Sequence, residues 1–115
     1  MTADIIYKIL TEKEWRDAEA EGAFSGSAVD LADGFIHFST AAQVAETARR
    51  HFAGQDGLTL LSVDAGELGK ALKWEPSRGG DLFPHLYQKL LFEAVIDAVP
   101  LPLAPDGGHV FPDNL

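Results

Sequence analysis

Ile5-Ile6-Tyr7-Lys8-Ile9-Leu10 opens the apolar pattern of the chain with β-branched and aromatic residues, which predicts a strand. Thr11 and Glu14 then stand at the Thr-x-x-Glu spacing of a capping box. Trp15 and Ala18 place apolar surface one turn apart, so a helix is expected up to Gly22. From Ala23 to Gly34 glycine and serine recur without a period, and a loop is expected. Phe35-Ile36-His37-Phe38 predicts a short strand that runs directly into a second helix. Ser39 and Thr40 offer its N-cap, Thr40 and Gln43 repeat the capping-box spacing, and Val44, Ala48 and Phe52 lie on or near one face before Gly54.

Leu58-Thr59-Leu60-Leu61-Ser62-Val63 is apolar enough for a strand buried on both faces. Asp64 to Gly69 is turn-like. Leu72-Lys73-Trp74-Glu75 alternates apolar with polar and closes at Pro76, which disfavours helix at the residue before it. Ser77 to Tyr87, with two glycines and a proline, is expected to be irregular, and Leu90 to Val99 to be a strand. Pro100, Pro102, Pro105 and Pro112 then mark a proline-rich tail over 100–115, whose missing N–H groups disfavour a central strand. The order β-α-β-α-β-β-β has few crossover units. It predicts an α+β fold with a mixed or mostly antiparallel sheet and two main helices, as one domain over 1–115.

Size and charge narrow the function classes. A chain of 115 residues can bury a core without a disulfide or structural metal, and none could be built on cysteine here, because there is none. The balance of 9 Lys and Arg against 18 Asp and Glu, net −9, repels polyanions and excludes nucleic acid as the expected partner. The N-terminal residues lack a positive segment followed by a long apolar one, and no run approaches the ~20 apolar residues of a membrane span. A cytoplasmic protein without a membrane partner is the expectation, with its oligomeric state open.

Candidate chemistry gathers in two segments. In Gly34 to Thr40 a strand delivers His37, on the same face as Phe35 and Ser39, into a helix start whose N–H groups and the Ser39 and Thr40 hydroxyls suit a phosphate or carboxylate. The same hydroxyls also suit a plain helix cap. In Trp74 to Tyr87 one loop holds Trp74, Glu75, Arg78, Phe83, His85 and Tyr87. Arg78 followed by two glycines suits close approach to an anion, or else a surface ion pair with Glu75 or Asp81. Trp74 and Phe83 also read as core residues. The expected roles are catalytic for His37, His85 and Glu75, and ligand-binding for Ser39, Thr40, Arg78, Trp74, Phe83 and Tyr87. His85 would act as general acid or base. The histidines at 37, 51, 85 and 109 lack metal-ligand spacing, so no metal is expected. Dinucleotide glycine motifs, a P-loop and a serine-hydrolase elbow are all absent.

Gly34-Phe35-Ile36-His37-Phe38-Ser39-Thr40, Trp74-Glu75 with Arg78-Gly79-Gly80, and Leu82-Phe83-Pro84-His85-Leu86-Tyr87 together resemble the signature segments of the domain-of-unknown-function 952 family of small bacterial proteins. The resemblance extends from Ile6 to about Val99. It implies kinship with the ADP-ribosyltransferase fold, because Gly34 to Thr40 is similar to the His-x-His-Leu-Ser segment of the tRNA 2'-phosphotransferases. It also implies an NAD pocket with His37 and Ser39 on the nicotinamide and ribose side. Where those enzymes carry His or Arg on the first strand this chain has Tyr7 and Lys8, and only Glu93 or Glu75 stands in for their late-strand glutamate. The expected function is therefore binding of an NAD-type or other phosphorylated small molecule, with ADP-ribosyltransferase-like chemistry. A non-catalytic binding, regulatory or protein-interaction module is the alternative.

Overall fold

The computed structural model describes residues 4–113 and 115, with the backbone alone at Arg78. The first apolar run is strand β1, Ile5–Thr11. Helix α1, Glu12–Glu21, follows without a linker. Its capping box is complete: Thr11 Oγ1 accepts from the Glu14 N–H at 3.0 Å and Glu14 Oε1 accepts from the Thr11 N–H at 2.8 Å. Gly22, at φ 82°, ends the helix in the left-handed region that glycine adopts most readily.

Next come β2 (Ala23–Phe24), helix α2 (Ala28–Asp33), β3 (Ile36–His37) and helix α3 (Ala41–His51). Strand β4 (Leu58–Asp64) leads through a 3-10 stretch, Ala65–Ala71, into β5 (Leu72–Pro76). Strands β6 (Leu82–Leu86), β7 (Leu90–Leu91) and β8 (Val95–Leu101) complete the order. The strands form two three-stranded antiparallel sheets, β1-β4-β8 and β3-β6-β5, and a small β2-β7 pair.

Because β4 is central, both of its faces are covered. Leu61 and Val63 join Ile6 and Leu10 of β1 in one core, with Phe24, Ile36, Phe38 and Leu86. Leu58 and Leu60 join Tyr7 and Ile9 in a second core against Val44 and Ala48 of α3. The two large sheets are tied by a bridge between Tyr7 and Ser39, whose N–H and C=O groups exchange bonds of 2.8 and 2.9 Å.

Three expectations from the sequence are corrected. The loop expected over 23–34 contains β2 and α2, a helix of six residues, too short to display a 3.6-residue period. The irregular stretch expected over 77–87 contains β6, the central strand of its sheet, with Pro84 inside it. Pro84 is tolerated because its carbonyl accepts from the Phe38 N–H at 3.0 Å. Its missing N–H therefore falls on the β3 side, just past the end of that two-residue strand, and the β5 ladder loses nothing.

The single strand expected over 90–99 is split by the 3-10 turn Phe92–Ala94, and its parts join different sheets. Phe92 there stacks on Trp15, with ring centroids 5.7 Å apart. Strand β8 extends through Pro100, which an edge strand accommodates. The residues after it turn back through a Leu103–His109 bridge, and Phe111 and Leu115 pack on the second core.

Candidate functional site

Strand register brings the two polar segments of the sequence together. His37 on β3 lies directly opposite His85 on β6, and His85 lies opposite Lys73 on β5. Directly opposed residues share a sheet face, and so do residues two apart along a strand. His37, His85, Lys73, Phe83 and Glu75 therefore project from one side. The two imidazole centroids are 5.6 Å apart, edge to face. Phe35 stacks on His85 at 4.1 Å and lies tilted against His37 at 4.6 Å, which limits the rotation of both rings.

This face forms one wall of a cleft of about 830 Å³, whose other walls are β1, the N-terminal end of α2 and one side of α3. Tyr7 and Ile9, Val29, Val44 and Phe83 line it with apolar surface, and His37, Ser39 and His85 supply polar atoms.

Each histidine is held by carboxylates. His37 Nδ1 is 2.6 Å from Asp30 Oδ1, and its Nε2 is 2.9 Å from Asp33 Oδ2. A carboxylate oxygen only accepts, so each ring nitrogen of His37 is placed to donate to a carboxylate. Asp30 is almost wholly buried, 2% exposed, and it also receives the Ser27 N–H at 2.9 Å, the His37 N–H at 3.1 Å and the Lys8 ammonium at 3.0 and 3.2 Å. Gly26 makes room for this carboxylate, since a Cβ there would lie 2.9 Å from Asp30 Cβ. His85 Nδ1 is 2.9 Å from Glu75 Oε1, which also accepts from the Tyr87 hydroxyl at 2.6 Å.

These contacts set the charges. Burial alone would raise the Asp30 carboxyl. The His37 hydrogen bond, the Lys8 charge, the Ser27 amide and the Lys8 hydrogen bond together outweigh it and hold Asp30 well below the usual carboxylate range. Burial draws the Lys8 ammonium below its ordinary value, against the opposing pull of Asp30. The Tyr87 hydroxyl and then His85 lower Glu75, and the same bond raises the Tyr87 phenol.

The depressed carboxyl of Asp30 makes stability depend on pH. It contributes fully above the unfolded-state value near ~3.9, and the contribution is lost as pH falls from there toward the lower folded-state value. Urea midpoints measured between about pH 5 and about pH 3 are expected to fall more steeply for the wild type than for Asp30→Asn. Parallel slopes would show that Asp30 carries no such linkage.

The expected site residues are distributed unevenly. His37, His85, Ser39 and Phe83 line the cleft, and Glu75 and Tyr87 stand behind His85. Ser39 Oγ is 2.9 Å from Thr47 Oγ1, and Thr47 Oγ1 is also 3.2 Å from the Gln43 carbonyl, so the Ser39 hydroxyl is tied to α3. Thr40 lies outside the cleft wall, where its N–H is capped by Gln43 Oε1 at 3.1 Å. Trp74 is neither core nor cleft: it alternates with Lys73 and Glu75 onto the other face of β5 and is 43% exposed. The side chain of Arg78 lies outside the described residues. Glu93, in the turn before β8, does not reach the cleft wall.

Sequence reasoning missed Lys8, Asp30 and Asp33. A signal existed for the first two: Lys8 shares the inward face of β1 with Ile6 and Leu10, and Ser27 with Asp30 has capping-box spacing. Among the described residues no three His, Asp or Glu side chains are grouped to hold a metal ion, and no helix is long and apolar enough to cross a membrane.

A family model described as a protein of unknown function, DUF952, matches residues 9–98. Among solved structures, the crystal structure of protein CC0527 from Caulobacter crescentus is similar to this chain at 55% identity and a TM-score of 0.89, covering 92% of this chain and 93% of that one. The solution NMR structure of the same protein matches at 54% identity and a TM-score of 0.86, covering 96% of each chain. No curated protein matches the chain.

Proposed function

The chain belongs to the DUF952 family, and from that premise we propose that its cleft binds an NAD-type or other phosphorylated small molecule, in an arrangement akin to the ADP-ribosyltransferases. One observation carries this reading: His37 lines the cleft, and among the described residues its Nε2 is met by Asp33, whose side chain is 49% exposed. An anionic ligand group can take the place of that carboxylate and form the same charge-assisted bond. The volume of about 830 Å³ suits a dinucleotide-sized ligand, within the usual range of ~300–1,000 Å³ for small-molecule pockets. Phe83 and the apolar residues of β1 and α3 offer surface for a planar ring.

Thermal unfolding with NAD, ADP-ribose, nicotinamide, nucleotides, sugar phosphates and simple anions tests the proposal. A true ligand at a hundredfold excess over its Kd adds about 2.7 kcal/mol. The shift, taken against each variant's own unliganded midpoint, is expected to vanish in the paired change His37→Ala with Arg78→Ala. No shift with any of these compounds would reject the reading.

A second reading, binding without transfer chemistry, rests on the engagement of Lys8 by Asp30 and the distance of Glu93 from the cleft. Release of nicotinamide from NAD that depends on His37 would reject it.

A further inference from the structure

We infer that His85 is the proton acceptor of the cleft, aimed by Glu75 and Tyr87 at an O–H group, water or a ligand hydroxyl, beside the anion held at His37. This inference rests on the reading of the cleft as a site for a phosphorylated ligand and adds the chemistry performed there.

The argument begins with the ring nitrogens. Glu75 Oε1 accepts from His85 Nδ1 at 2.9 Å, so Nδ1 carries the proton and the neutral ring has its lone pair on Nε2. No described group bonds Nε2, and His85 lines the cleft. Glu75 is itself fixed by the Tyr87 hydroxyl at 2.6 Å, and the ring plane is set by Phe35 stacked at 4.1 Å. A carboxylate, an oriented imidazole at a cleft wall and an Nε2 without a described partner form the arrangement by which histidine removes protons from oxygen nucleophiles.

A histidine serving only to join two strands could bond Glu75 equally well, but it would not need Tyr87 to hold the carboxylate or a place in the lining of the cleft. Among the described residues, the other charged and titratable groups around it are Lys73 and Glu75 from β5, Tyr87 just beyond β6, and His37 from β3 with Asp30 and Asp33 of α2 behind it.

The step balances with water as the nucleophile. Its O–H bond breaks, the proton moves to Nε2, and the oxygen pair forms the new bond to the electrophilic centre of the ligand. The leaving group departs with its bonding pair and takes up the proton from the His85 imidazolium, which restores the starting ring.

Long-range proton–nitrogen correlation spectra of the full chain, paired with mass-spectrometric rates of carbethoxylation by diethyl pyrocarbonate, test this without any ligand. The expected result is a His85 ring protonated on Nδ1 and modified on Nε2, slowly because its side chain is only 6% exposed. Glu75→Ala is expected to lose that tautomer, and Tyr87→Phe, which leaves the carboxylate, to keep it. An Nε2–H tautomer in the wild type, modification of His85 on Nδ1, or an unchanged tautomer in Glu75→Ala would overturn the inference.

ADP-ribose separates this failure from that of the binding proposal. If it raises the unfolding temperature and slows His85 modification, both stand. If it raises the temperature and leaves the His85 rate unchanged, binding stands and the role of His85 falls. If it binds nowhere, the binding proposal loses its support while the tautomer still decides the state of His85.

Discussion

Asp30→Ala is expected to destabilise the fold by about 3–5 kcal/mol, the range for removing one partner of a buried ion pair. The substitution strands the Lys8 ammonium, 6% exposed, on the inward face of β1 opposite Leu61, and removes the acceptor for two backbone N–H groups and for His37 Nδ1. Native stabilities are only ~5–15 kcal/mol, so a large share of the total is at stake. Lys8→Met is expected to cost less. It removes the charge that burial disfavours, and Asp30 keeps Ser27 and both His37 donors. Urea unfolding at constant slope reads both values. Equal losses for the two variants would show that Asp30 acts only through Lys8.

Leu86→Ala is expected to cost about 2–5 kcal/mol through lost burial and the cavity left behind. Leu86 is fully buried, at 0% exposure, and lies on β6 opposite Ile36 on one side and Leu72 on the other, so it pins the central strand of the second sheet to the first core. It is also the residue after His85, and a β6 that settles differently moves the imidazole relative to Glu75. Leu82→Ala on the same strand, at 52% exposure, serves as the control and is expected to stay within about 0.5 kcal/mol. A Leu86→Ala loss as small as that of Leu82→Ala would mean that β6 is held by its ladder alone.

Local signals were legible where they were complete within a few residues. The Thr11 and Glu14 box, the face of α3 and the doubly buried β4 all follow from spacing, because each signal, a cap, a helical period or an unbroken apolar run, is complete within its own segment. Strand β6 was illegible for the converse reason. Five residues with a central proline look like a break, and only the passing Phe38 amide shows where the missing N–H falls. For the site, the chain announced His37, Glu75 and His85 as chemically loaded, but Trp74 carried the same signal in the same segment and faces away.

The sequence by itself determined an α+β chain with a mixed or mostly antiparallel sheet, the two capped helices, the acidic balance and the two polar segments, because composition and short-range periodicity contain that information, while its family was legible through the resemblance of its motif segments. Tertiary structure alone decided that His37 stands opposite His85, that Lys8 is buried on Asp30, and that Asp33 faces the remaining nitrogen of His37. The first two depend on strand register and on the placing of α2 beside β1, which join residues 48 and 22 positions apart, and the third, between residues four apart, on the turn that carries the chain from α2 into β3; local propensity specifies none of them.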